Sequence, residues 1–192
     1  MKSNNFAPLA MLVCLPAYTA PVTYRIAPTH TYPSFAVDHM GGLSIWRGKF
    51  TETSGKVVYD KDAKRGSVEV TVNAASVDYG NKKLDQHVTS AEILDVAKFP
   101  SGAYAGTFTQ FDAHGPKTVE GIFTLHSVTR PLTLNIDSFM CKSNPAAKQE
   151  VCGAEASGSF ERSDCGIKVG EAYGFAMWVR LAIQVDVVPP FP

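Results

Sequence analysis

The chain has 192 residues, equal numbers of basic and acidic side chains, 45% hydrophobic residues and 19% charged residues. Such a length and balance suit one domain with a sizeable core and exclude a disordered chain. No apolar run reaches the ~18 residues of a membrane-spanning helix. With zero net charge and no basic block longer than Lys61-Asp-Ala-Lys-Arg65, there is no electrostatic footprint for nucleic acid.

The N-terminus has the layout of an export signal. Lys2 precedes a mostly apolar stretch from Phe6 to Leu15, and the small residues Ala17 and Ala20 offer cleavage sites. Residues 1–20 are read as a cleaved signal peptide and 21–192 as a single exported domain. Leu12 and Val13 are bulkier than the residues that usually precede a lipidated cysteine, so Cys14 is read as a spectator in the leader.

Beyond the leader the chain reads mainly as strands. Tyr24–Ala27 and Ser34–Met40 come first, separated by Pro28 and Pro33. Phe35, Val37 and His39 alternate with Ala36, Asp38 and Met40, the period of a strand with two different faces. Gly41-Gly42 turns the backbone at low steric cost. Leu43–Phe50 then carries Ile45, Trp46 and Phe50 among polar neighbours. Lys56–Tyr59, a turn at Asp60–Gly66, and the alternating Val68, Val70 and Val72 follow.

The stretch Asn81–Ala97 differs. Leu84, Val88 and Ala91 recur at helical spacing, and Thr89-Ser-Ala-Glu92 is a capping box suited to starting a second short helix. Phe99-Pro100 ends the insertion. Strands resume at Tyr104–Phe111, Val119–His126, Leu132–Phe139, Ala154–Glu161 and Phe175–Val187. In the last, Val179, Leu181, Ile183, Val185 and Val187 face one way, with Arg180, Gln184 and Asp186 opposite. Many short strands with one helical insertion leave a sandwich or a closed up-and-down barrel open.

Cys141 and Cys152 flank ten residues that read as a polar surface loop. In an exported protein they are predicted to be bridged, which would stabilise by roughly 2–3 kcal/mol through chain entropy. The spacing matches no zinc pattern, and no metal is expected. Cys165 is read as a buried free thiol. Asp38-His39 and Asp85-Gln-His87 are the pairs that could make an acid–base or metal constellation, and His30, His114 and His126 complete the histidines. No His-x-x-x-His, Gly-x-Ser-x-Gly or glycine-rich phosphate loop accompanies them, so they are read as structural and no catalytic residue is assigned.

Several segments, in order, are similar to one family. Tyr-Arg-Ile-Ala-Pro-Thr-His at 24–30, Phe-Ala-Val-Asp-His-Met-Gly-Gly at 35–42 and Gly-Lys-Phe at 48–50 come first. Gly80-Asn-Lys-Lys-Leu-Asp-Gln-His-Val88 and Asp95-Val-Ala-Lys-Phe-Pro100 follow, then Gly121-Ile-Phe-Thr-Leu-His126, Val128-Thr-Arg-Pro131 and Glu161-Arg-Ser-Asp164. In these the chain resembles the YceI-like proteins, bacterial lipocalin-like barrels that bind polyisoprenoid lipids. The resemblance departs at Ala91-Glu-Ile-Leu94, where an aromatic pair is expected, at Ser127, where glycine is common, and at Cys165, where an aromatic is common. It implies an all-β, eight-stranded antiparallel lipocalin-like barrel, closed at one end by the helical insertion and holding an isoprenoid chain in the periplasm.

On that fold, Phe35, Val37, Trp46, Phe50, Phe108, Phe123, Leu125 and Trp178 are expected to line an apolar lumen. Asn81, Asp85 and His87 are expected at the mouth, facing a head group, with Leu84, Val88 and Leu94 of the insertion turned inward. Each CH₂ moved from water into such a lumen contributes ~0.8 kcal/mol, so a long prenyl tail can drive binding without a charged contact. The expected partner is a polyisoprenoid lipid, an isoprenoid quinone or a prenyl phosphate, with no further cofactor. Transient membrane contact and a homodimer are compatible with that reading. The competing readings are an enzyme acting on the head group through the His/Asp pairs, and a structural barrel filled by its own side chains.

Overall fold

The structure is a computed structural model that describes residues 20–145 and 149–189. Residues 1–19 of the expected signal peptide, Cys14 among them, lie outside the described residues. The described strands are β1 (Val22–Ile26), β2 (Tyr32–His39), β3 (Ser44–Phe50), β4 (Thr53–Asp60), β5 (Arg65–Asn73), β6 (Val77–Asp78), β7 (Ser101–Phe111), β8 (Pro116–Leu125), β9 (Val128–Asn144), β10 (Gln149–Glu161) and β11 (Trp178–Val188). Among the described residues one α-helix, α1 (Lys82–Thr89), lies between β6 and β7.

Every pairing is antiparallel, and the ring runs β1-β4-β5-β7-β8-β9-β10-β11. It closes where Arg25 and Ile26 of β1 meet Val188 and Val187 of β11. Three staves of this eight-stranded barrel are each broken in two. β2 continues β1 along β11, β3 precedes β4 beside β2, and β6 continues β5 along β3. The first break follows from Pro28, which cannot donate to a ladder. Thr31 bridges the gap, its hydroxyl donating to the Asp186 carbonyl (3.2 Å) and accepting from the Asp186 amide (3.1 Å). The result is the closed up-and-down barrel, not a sandwich.

Two expectations need correction. The helix stops after Thr89, and residues 91–97 form turns and connecting chain. The Thr89 hydroxyl donates back to the carbonyls of Asp85 (2.9 Å) and Gln86 (3.1 Å), so it is not free to cap a second helix. Asp95 then takes a left-handed φ of 43°, which no helix continues through. The ten residues between Cys141 and Cys152 are also largely hairpin: Lys142, Ser143 and Asn144 pair with Val151, Glu150 and Gln149.

The core forms three groups along the barrel. Tyr24, Ile26, Tyr59, Cys152 and Val187 fill the end near the described chain termini. Val119, Phe123, Leu132, Leu134 and Ile136 form the waist, with the free thiol of Cys165 buried against them. Val77, Val88, Leu94 and Ile167 pack under the insertion at the other end, joined by Leu84. His126 pins that insertion, its Nε2 lying 2.7 Å from the Leu94 carbonyl. Cys141 and Cys152, directly opposed on β9 and β10, are bridged with an S–S distance of 2.04 Å.

Candidate functional site

Period-two alternation on closed strands sends one face of every stave to the interior. Val68, Val70 and Val72 of β5, Leu132, Leu134 and Ile136 of β9, and the odd residues from Val179 to Val187 of β11 enclose one cavity of about 310 Å³. That volume falls within the ~300–1,000 Å³ of small-molecule pockets. Small residues hold it open on β10, where Ala154 and Ala156 face in. Bulkier side chains there would have made the barrel a solid core.

Of the expected lumen residues, Phe35, Val37, Phe50, Phe108, Phe123 and Leu125 line this cavity. Trp46 does not. It sits on the same face as Val37 but further toward the rim, stacked on His39 at 4.1 Å and 6.4 Å from Tyr79. Trp178 is on the outer face, because Val179 and Leu181 point inward and Trp178 has the opposite parity. Its ring lies beneath Arg180, 4.2 Å away, in an outer groove that Asp38 and Ile45 also line. The alternation of β11 carried this signal, since Trp178 shares the face of Arg180.

The expected mouth residues are taken up by local structure. Asn81 caps α1, its side chain accepting from the amides of Lys83 (3.1 Å) and Leu84 (3.3 Å). Asp85 accepts from the Tyr79 amide at 2.8 Å. His87 is exposed, 3.6 Å from Glu92. None of the three lines the cavity, whereas Leu94 does, and Leu84 packs in the cluster beneath the insertion. The Asp/His pairs share no site: Asp38 accepts from the amides of Gly42 (2.7 Å) and Ala176 (2.8 Å), while His39 lies 3.2 Å from the Ser44 hydroxyl. Cys141, Glu150 and Cys152 lie within metal-ligand reach of one another, but both sulfurs are spent on the disulfide.

The cavity wall is apolar except at a few side chains, and most of these are satisfied by the wall itself. The Tyr104 hydroxyl donates to the carbonyls of Val119 and Leu132, both at 3.2 Å. Thr31 is held by Asp186, and the Thr124 hydroxyl meets that of Thr129 at 2.9 Å. Two more lie at the insertion end: Tyr79, and Arg162, whose guanidinium donates to the carbonyls of Ile167 (3.2 Å) and Val169 (2.7 Å). Burial pushes the Tyr79 phenol up to about 12, with Arg162 opposing and Asp85 adding to the shift, so it is a neutral O–H donor. Burial also lowers the Arg162 guanidinium from its usual value, yet arginine stays charged in proteins. Neither residue was singled out from the sequence. Parity would have found Arg162, the next inward position after Ala154, Ala156 and Phe160 on β10.

An aromatic series runs from the lumen to the rim. Phe50 and Tyr79 each lie 5.5 Å from Phe35, and beyond Trp46 the His39 ring is 5.7 Å from Phe175. Gly48 makes room for it: a Cβ there would come within 2.8 Å of the Phe35 ring and 3.2 Å of Tyr79.

The family model described as YceI-like domain matches residues 24–188. A UPF0312 protein of Shewanella baltica is 30% identical over 173 residues, covering 88% of this chain and 90% of the relative. A second UPF0312 protein, from Vibrio cholerae, is 27% identical and covers 93% of each. Among solved structures, a polyisoprenoid binding domain from Saccharophagus degradans matches with a TM-score of 0.65 at 11% identity, covering 88% of this chain and 99% of that one. BcnA of Burkholderia cenocepacia matches with a TM-score of 0.62 at 20% identity, covering 82% and 96%. At these identities the two structures speak for the fold alone.

Proposed function

The chain belongs to the YceI-like family, and from that premise we propose that its barrel is a periplasmic carrier or store for a long-chain polyisoprenoid lipid. The observation that carries this reading is the cavity: a continuous apolar space running between the two packed ends, whose polar side chains are mostly closed off by the wall. A slender hydrocarbon suits such a space, while a polar substrate would lose its hydration without replacement. That a fold neighbour is itself described as a polyisoprenoid binding domain supports the same ligand class. Binding rather than turnover fits the histidines, which are dispersed among local hydrogen bonds and stacking partners.

Organic extraction of purified protein followed by mass spectrometry tests the reading, with a long-chain prenyl lipid as the expected extract. Phe123 is buried at the waist, against Phe160 at 4.6 Å. An unpaired carboxylate there costs several kcal/mol, so Phe123→Asp protein that circular dichroism shows to be folded is expected to carry no lipid. Prenyl lipid retained at wild-type level by a folded variant would overturn the assignment of the lumen.

A further inference from the structure

We propose that the β2–β3 turn and the β10–β11 connection form a docking face for an anionic bilayer surface, with Leu43 and Tyr173 inserted and Arg47 and Arg180 on the lipid phosphates. The inference goes beyond the lipid reading, since it concerns the outer surface and holds whatever fills the lumen. Met40, Leu43, Ile45, Val169 and Tyr173 are large apolar side chains that stand exposed on these two segments and the start of β3. Leu43, at 72%, and Tyr173, at 85%, are the most exposed of their kind among the described residues, while Val22, Ile122 and Met140 are scattered over β1, β8 and β9. A single exposed apolar side chain is ordinary, but a gathered set marks an interaction surface.

The two segments form one platform. The Asp38 carboxylate accepts from the Gly42 amide (2.7 Å) on one and the Ala176 amide (2.8 Å) on the other. A Cβ on Gly41 would come within 3.1 Å of the Gly174 carbonyl, so the chains are in close contact there. Fixed in this way, the tips lose little freedom on docking. Around them is open space, since a Cβ on Gly42 or Gly174 would meet nothing within 4 Å. Protruding apolar side chains of this kind suit a fluid acceptor, which needs no matching shape.

Behind the tips the outer face turns cationic. Ala36 of β2 pairs with Arg47 of β3 on one side and Arg180 of β11 on the other, which puts both arginines in one row. Among the described residues no carboxylate lies within ion-pair distance of either. Arg47 donates only to the Ile45 carbonyl, at 3.5 Å, and Arg180 lies over the Trp178 ring at 4.2 Å. Lys168 adds an exposed cation on the connection, while Glu161 and Glu171 at the same end act on the inward Arg162. From Leu43 to Arg47 is at most about 13 Å of extended chain. With apolar tips buried ~5–10 Å into the boundary of head groups and acyl chains, the arginine side chains reach the phosphates. The order of apolar tip, tryptophan and cation follows the polarity of a bilayer from its interior outward.

Flotation of the whole protein with phosphatidylethanolamine–phosphatidylglycerol vesicles, and with phosphatidylcholine vesicles, tests the face. The wild type is expected to float with the anionic vesicles and more weakly with the neutral ones. Leu43→Asp combined with Tyr173→Asp should weaken anionic-vesicle binding at least about tenfold. Arg47→Gln combined with Arg180→Gln should remove the preference for anionic lipid and keep the weaker neutral binding. Met140→Asp, equally exposed but on β9 toward the other end, should bind as the wild type does. Leu43→Ser with Tyr173→Ser serves if a thermal melt shows the charged pair unfolded. A wild type that floats with neither vesicle, or a folded tip variant that floats undiminished, would overturn the docking face. Self-association of the vesicle-free protein that Leu43→Asp abolishes would assign the face to a second copy and overturn it too. Each of these results leaves the lipid reading intact, because the barrel's own content is read separately by extraction.

Discussion

His126 and Ser127 show how one residue position can be strained for a purpose and the next for none. Leu125 pairs with Val128, so the two residues alone make the β8–β9 turn, with φ of 52° and 59°. Both are the left-handed values that a type I′ hairpin demands. His126 recovers the cost through its bond to the Leu94 carbonyl and its contact with Phe99 at 4.3 Å. Among the described residues no side-chain hydrogen bond compensates Ser127. Ser127→Gly is therefore expected to stabilise by about 0.5–1 kcal/mol, a rise of roughly 2–4 °C per kcal/mol in the melting temperature. His126→Gly should destabilise, because relief of strain is outweighed by release of the insertion. A lower melting temperature for Ser127→Gly would show that the serine has a partner role the turn geometry hides. At this scale the sequence was legible where parity governed and misleading where residue size was preferred to it. Phe123 follows from alternation. The expectation of Trp178 in the lumen runs against the alternation of its own strand, and the inward Arg162 has the parity that the polar residues of the insertion lack.

Elements at the insertion end are tied by one carboxylate. Asp38, buried on β2, holds the hairpin turn through the Gly42 amide and the β10–β11 connection through the Ala176 amide. The Ala176 bond, opposed by burial and supported by the Gly42 bond, holds its carboxyl below the usual carboxylate range. A depressed folded value means that the contribution is complete above the ordinary value near ~3.9 and is lost as pH falls through the folded one. Hydrogen exchange in residues 40–43 and 172–177 should accordingly quicken as pH drops below that range, after correction for the intrinsic rate. Asp38→Asn should show the faster exchange already at pH 7. Unchanged protection in the variant would mean that the loops hold each other without the tie. These loops also carry the most exposed apolar side chains at this end, Leu43 and Tyr173. The helix was visible from apolar spacing, but its early end was not. Thr89 has the composition of a cap, and only the three-dimensional fit of Leu94 beneath His126 decides that the chain turns there instead.

Closure of the whole barrel joins Arg25 to Val188 and Ile26 to Val187, pairs separated by most of the chain. Alternation specifies faces and not partners, so the residues by themselves left a sandwich open, and the ring came from the family resemblance. Closure also makes the lumen a tube with a defined depth, from Arg162 at one end to Cys152 and Val187 at the other. If a prenyl tail runs down that tube, affinity must rise with tail length until the tube is full. Each added CH₂ is worth up to about 0.8 kcal/mol, or roughly fourfold in affinity, before the cost of ordering the chain. Titration with geraniol, farnesol and geranylgeraniol should show the rise directly. Ala156 faces the lumen from β10 and is buried at 8% exposure. A large side chain there would block the tube part-way, so Ala156→Phe is expected to bring geranylgeraniol down toward the affinity of the shorter alcohols while sparing geraniol. A thermal melt must accompany the titration, since overpacking can cost 1–3 kcal/mol on its own. Loss of all three ligands by a stable variant would place the tail's first segment at Ala156. Undiminished geranylgeraniol binding would show that the tail never reaches the waist and that the deep half of the barrel is core.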